Sequence, residues 1–285
     1  MATLENERLR LECTAKAGEM TSLVDKATGT ELLYQRDGAW KDSNPTLFPI
    51  VGNTYSGKYE VYGKTYEMKN HGLIRYAQLT EAEGGDSIKY EYEPNDQDLA
   101  RYPYHFKYTI EYRLDASKVI IDYTIENTDD RDLPFTFGLH PAFRVPQKPG
   151  EKFEDYKLVY SPAGPAVQML FKDADEITEK AVVLDEWPLD RKDIRDHATL
   201  IYKDIKTEKA TLMYKDEPRL SVQFPGFPYL AIWTHETPSD FLCIEPWYGH
   251  ADLVKKEVDF AGREGMMSLE PGGTWKTSYT IEAEE

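Results

Sequence analysis

Period-two alternation of polar and apolar residues is the feature that most restricts how this chain can fold. Residues 106–114 alternate, a turn follows at Asp115-Ala116-Ser117-Lys118, and residues 119–127 alternate again. In the second arm Val119, Ile121, Tyr123 and Ile125 share one face, while Ile120, Asp122, Thr124 and Glu126 share the other. Only an extended backbone sends successive side chains to opposite faces, so the two arms predict a β-hairpin. The same pattern predicts strands at residues 8–14, 19–25 and 31–34, the last two joined by a Lys26-Ala27-Thr28-Gly29 turn. Further strands are expected at 133–139, 157–160, 210–214, 220–224, 230–234, 241–245 and 274–282.

No long stretch repeats apolar residues at helical spacing; residues 173–184 offer a turn or two of helix at most. The charged stretch at 185–196 reads as a solvated loop. With 17 prolines and 18 glycines breaking the chain at short intervals, many short strands are favoured. There is no fixed-period repeat and no linker. The expectation is one all-β domain over residues 1–285, made of two packed sheets.

Composition narrows the function. Hydrophobic residues at 40% are enough for a packed core. The net charge of −17 repels nucleic acid and anionic lipid, so neither is the expected partner. No uncharged apolar run approaches a membrane span, and Met1-Ala2-Thr3-Leu4-Glu5-Asn6-Glu7 lacks the build of a signal peptide. A cytoplasmic location is expected. Cys13 and Cys243 are the only cysteines, too few for a disulfide framework and without a CxxC pair.

Two familiar motifs fail on inspection. Gly52-Asn53-Thr54-Tyr55-Ser56-Gly57-Lys58 fits a phosphate loop as far as its lysine, but Tyr59 stands where Ser or Thr should bind magnesium. The following Tyr59-Glu60-Val61-Tyr62-Gly63 alternates like a strand, whereas a phosphate loop must open a helix. None of the six histidines has the helical spacing of a zinc hydrolase.

Two histidines stand in segments that fix their backbone. His71 lies in Asn70-His71-Gly72-Leu73-Ile74-Arg75. His140 lies in Gly138-Leu139-His140-Pro141-Ala142-Phe143 at a strand exit, where Pro141 holds the preceding residue extended. Glu245 ends an apolar run and precedes Pro246-Trp247-Tyr248-Gly249. Desolvation there would raise its pKa towards that of a useful base. The exposed Trp247 and Tyr248 expected beside it suit the apolar face of a sugar ring.

These segments, in this order, resemble the aldose 1-epimerase (galactose mutarotase) family, and especially the branch found beside bacterial lactose operons. Leu47-Phe48-Pro49-Ile50-Val51-Gly52, Phe227-Pro228-Tyr229-Leu230-Ala231-Ile232-Trp233-Thr234 and Leu269-Glu270-Pro271-Gly272-Gly273 extend the likeness. The resemblance implies a β-supersandwich and a mutarotase that opens a hexose ring by acid–base chemistry, without cofactor or metal. It implies His140 as general acid and Glu245 as general base. His71 then lines the site, and Asn70 and Arg75 fall where relatives bind sugar or phosphate; beside this, the aromatic reading expects Trp247 to help position the ring. The partner is a small sugar, free or phosphorylated; the oligomeric state stays open.

Two departures bear on specificity. Asn53 stands where the branch usually has a basic residue, and Val222-Gln223-Phe224-Pro225-Gly226 lacks the carboxylate that galactose mutarotases place before Pro-Gly. Three other readings therefore remain. One is a hexose-6-phosphate epimerase using Arg75 or Lys58 as phosphate clamp. Another is a non-catalytic sugar-binding protein on the same fold. The last is a glycosidase pairing Glu245 with Asp252 or Glu270.

Overall fold

The hairpin forms because one face of each arm can be buried completely. In the computed structural model, which describes residues 1–235, 239–255 and 259–284, it comprises strands Phe106–Asp115 and Lys118–Asn127. Phe106 pairs with Asn127 and Asp115 with Lys118, leaving a two-residue turn in place of the expected four. Ala116 sits there at a φ of 49°. Tyr108, Tyr112, Ile121 and Tyr123 face inward and are buried.

From this hairpin an antiparallel sheet continues through Thr274–Ala283, Glu217–Gln223, Lys209–Tyr214, Tyr156–Leu170, Leu200–Lys203, Tyr229–Trp233, Phe241–Trp247, Gly138–Leu139 and Thr46–Leu47. Fifteen strands belong to it among the described residues. The sheet doubles over on itself. Phe48, beside its last strand, meets Phe106 and Tyr108 of the hairpin at ring-centre distances of 4.9 and 6.2 Å. One bent sheet thus supplies both packed layers. A four-stranded sheet from Ala2 to Glu31 packs against the hairpin, and the Tyr112 hydroxyl donates to the Gly18 carbonyl at 2.5 Å.

Two local expectations are corrected. Residues 178–184 are not helical: Thr178–Pro188 is a strand paired along Tyr156–Leu170. Most of its side chains are exposed, so backbone hydrogen bonds rather than an apolar face hold it, and no period marks it in the sequence. The presumed loop at 185–196 contains helix Arg191–His197, capped by Asp190, which accepts the Lys192 N–H at 2.7 Å. It buries only Ile194, too little for a helical period to show. Lys58, by contrast, does open a strand, Lys58–Val61, as a failed phosphate loop should. No helix among the described residues is long and apolar enough to cross a membrane.

Candidate active site

Strand register places His140 against Glu245. Gly138 pairs with Trp247, and Ala142 pairs with Cys243 on the same strand, Phe241–Trp247. His140 lies midway between its two paired neighbours, and Glu245 lies midway between theirs. With a side-chain period of two, all six share one face of the sheet. Pro141 interrupts the ladder at that point; its carbonyl still accepts the Ile244 N–H at 3.3 Å. His140 Nε2 comes to 3.4 Å from Glu245 Oε2. On the other side of Glu245 lies Ala231, flanked by Tyr229 opposite Trp247 and Trp233 opposite Cys243. Ala231 itself is fully buried among Leu47, Val51, Met169 and Ile201, while His140, Trp233, Glu245 and Trp247 all border an open space.

That space is a cleft of about 350 Å³, lined by Trp40, Asn70, His71, Arg75, His140, Thr199, Trp233, His235, Glu245 and Trp247. Every residue proposed from sequence is therefore present: Asn70, His71, Arg75, His140, Glu245 and Trp247. Their roles are a separate matter, taken up below. Val222, Gln223, Phe224, Pro225, Gly226, Asp252 and Glu270 are absent from the lining. Asp252 accepts the Tyr55 N–H and pairs with Arg263 instead, and among the described residues lining the cleft Glu245 is the one carboxylate. Lys58 also lies outside, paired with Glu67 at 3.4 Å.

His71 reaches the cleft from a strained loop. Its φ is 64°, and Gly72 follows at 81°, where an added Cβ would lie 2.3 Å from the Phe48 carbonyl oxygen. Two bonds tie the histidine to Gly52. The His71 N–H donates to the Gly52 carbonyl at 2.8 Å, and the Gly52 N–H donates to His71 Nδ1 at 3.0 Å. A backbone N–H can only donate, so Nδ1 is the acceptor and the neutral ring carries its proton on Nε2. The imidazole edges His140 at a ring-centre distance of 5.6 Å.

Arg75 stands on a single 3-10 turn, Ile74–Tyr76. Its Nε donates to Asp42 Oδ2 at 3.0 Å, and its terminal NH2 donates to the same oxygen. Asp42 belongs to the loop that also carries Trp40. Trp40 stacks on His140 with ring centres 5.0 Å apart, while Trp233 meets His140 edge-on at 5.5 Å. These two tryptophans, only half-buried, offer the apolar platform that the sequence assigned to Trp247 and Tyr248. Trp247 is only 6% exposed, and its indole N–H donates to the Leu139 carbonyl at 3.2 Å. Tyr248 points away and shares a hydrogen bond with Thr277 at 3.0 Å. Trp40 and Asp42 gave no sequence signal, because nothing in an irregular loop reveals which strand it will cover.

Burial dominates the electrostatics. Glu245 is 1% exposed, and burial holds its carboxyl well above the usual range, with Trp247 and Arg75 only partly favouring the charged form. Burial pulls His140 down to about 3, and the positive Arg75 adds to the effect. His71 is pushed well below the usual imidazole range by burial, then by His140 and Arg75. A buried acid and base shifted in opposite directions, in contact in one cleft, hold a single proton between them over a wide pH range.

The same fold occurs in known proteins. A galactose mutarotase related enzyme from Lactobacillus acidophilus superposes with a TM-score of 0.93 at 26% identity, covering 100% of this chain and 97% of that one. A galactose mutarotase-like protein from Lactobacillus casei gives 0.90 at 26% identity, covering 99% of each. Among curated sequences, the chromosomal protein LacX of Lactococcus lactis subsp. lactis is 28% identical over 297 residues, 98% of this chain and 97% of that protein. The aldose 1-epimerase family model matches residues 1–264. With the galactose mutarotase-type β-supersandwich around one cleft and a family match over nearly its whole length, the chain belongs to the aldose 1-epimerase family.

Proposed function

We propose that the chain interconverts the α and β anomers of a neutral aldose, with Glu245 and His140 as its proton-transfer pair. The observation that carries this reading is the buried contact between their side chains, 3.4 Å apart in a sugar-sized cleft. Ring opening requires loss of the C1 hydroxyl proton and gain of a proton by the ring oxygen. The Glu245 carboxylate takes the first while protonated His140 gives the second; the bond between C1 and the ring oxygen breaks, and C1 becomes an aldehyde. Rotation about C1–C2 presents the other face, and reclosure returns both protons. Burial by itself favours the uncharged pair, with the proton on Glu245. The productive pair holds the same single proton on His140, so the two forms differ only in which side chain carries it. Sugar hydroxyls that donate to the carboxylate favour the productive form. His71, with Nε2–H as its donor, orients a ring or hydroxyl oxygen. Trp40 and Trp233 receive the apolar face of the ring.

The preference for an uncharged sugar rests on Asp42. It neutralises Arg75, the cation of the cleft best suited to clamp a phosphate, and Lys58 stands elsewhere. Exchange spectroscopy by NMR on glucose, galactose and their 6-phosphates tests the reading. Faster exchange of the free sugars is expected. Exchange no faster than in buffer for every one of them would refute it, and sugar binding without exchange would leave a binding protein.

A further inference from the structure

Cys243 takes no part in the reaction above, yet it stands beside the reacting pair. Two residues before Glu245 on the same strand, it projects from the same face, between Ala142 on one neighbouring strand and Trp233 on the other. One ligand atom from each of His140, Cys243 and Glu245 lies within 4.8 Å of the other two, and all three residues are buried. Among the described residues Glu245 Oε2 has no hydrogen-bond partner, its 3.4 Å approach to His140 Nε2 being a contact and not a hydrogen bond. A buried polar atom left without a partner is costly, and the Glu245 carboxylate carries one in the same cluster as the thiol.

We propose that His140, Cys243 and Glu245 form an inhibitory site for a thiophilic divalent cation of the zinc type. Imidazole, thiolate and carboxylate are a ligand set that suits Zn²⁺, with a water from the cleft completing the tetrahedron. Zinc–ligand bond lengths put neighbouring ligand atoms roughly 3.3–3.6 Å apart. The histidine–glutamate contact already has that spacing at 3.4 Å, and the cysteine sulfur stands within 4.8 Å of a ligand atom of each. Charge also fits: a thiolate and a carboxylate cancel the two charges of the cation, so the filled site is neutral in a dry setting. The protons that Cys243 and Glu245 carry leave to solvent on binding. An ion held there occupies both proton-transfer groups and excludes the sugar from them. The inhibitory part rests on the proposed roles of His140 and Glu245; the binding part does not.

The test uses the full chain, stripped of metal, with Co²⁺ as spectroscopic probe and Zn²⁺ as inhibitor. One equivalent of Co²⁺ should give a thiolate-to-cobalt charge-transfer band in the wild type and none in Cys243→Ala or Cys243→Ser. Cys13, the only other thiol, lies in the N-terminal sheet and serves as the internal control. Zn²⁺ should slow anomeric exchange by about tenfold or more in the wild type and less than about twofold in either variant, with chelator restoring the rate. Using both variants guards against one of them failing to fold. A wild type with no band that still exchanges anomers overturns the site and leaves the proposed reaction standing. A band undiminished in both variants also overturns it. A wild-type band with exchange unaffected by Zn²⁺ overturns the inhibitory role.

Discussion

Replacing Glu19 by glutamine isolates the cost of one buried charge. Glu19 is 4% exposed, and its pKa is raised to about 7, first by burial and then by the nearby Asp42. Arg36, Lys16 and the Asn44 backbone N–H offset this only in part. Each tenfold change in proton affinity is worth about 1.4 kcal/mol, so a rise from 4.5 to about 7 corresponds to about 3 kcal/mol. The folded state binds this proton more tightly than the unfolded chain. The stability it contributes is therefore complete below pH 4.5 and is lost as the pH rises through about 7. Glutamine has the same shape and never ionises. At pH 4.5 the two proteins should be equally stable. At pH 8.5 Glu19→Gln should be the more stable by up to about 3 kcal/mol, or roughly 5 °C in Tm for a chain of this size. Calorimetric or urea unfolding at pH 4.5, 7 and 8.5 measures the gap. A gap that does not change with pH, or a variant less stable than wild type at pH 8.5, would refute the reasoning.

Further outcomes concern the cleft. Glu245→Gln and His140→Asn should each lower turnover by about 10²–10⁴-fold with much smaller losses of sugar affinity, and the double variant should be only slightly worse, as steady-state kinetics will show. Asp42→Asn frees Arg75, so the ratio of kcat/KM for glucose 6-phosphate to that for glucose should rise by about tenfold; an unchanged ratio would show that Asp42 does not set the preference. Because burial lowers the imidazole to about 3 and raises the carboxyl, kcat/KM should show no inflection near the ordinary imidazole value. It should fall in acid, when the pair takes a second proton, and in alkali, when it loses its only one. An inflection near the ordinary imidazole value would place His140 in water rather than in a dry cleft. Ala231→Leu should overpack the buried cluster of Leu47, Val51, Met169 and Ile201 and cost about 1–3 kcal/mol of stability, measured by thermal unfolding.

Alternation alone determined that this chain is built of strands, because period two is a local property that each segment carries by itself. It also determined which faces of the 106–127 hairpin are buried. The motifs around His71, His140 and Glu245 were likewise legible, since a glycine with positive φ, a proline and a carboxylate within an apolar run each act on their nearest neighbours. The strand Thr178–Pro188 was hidden, because its stability comes from a partner's backbone and leaves no pattern of side chains. Only the tertiary structure decided that His140 faces Glu245, 105 positions along the chain, since that depends on the register between two strands. It alone decided that Trp40 covers the histidine, that Asp42 neutralises Arg75, and that Trp247 is a buried wall rather than an exposed platform. A residue's exposure and its charged partner come from what the rest of the chain packs against it, and no stretch of sequence contains that by itself.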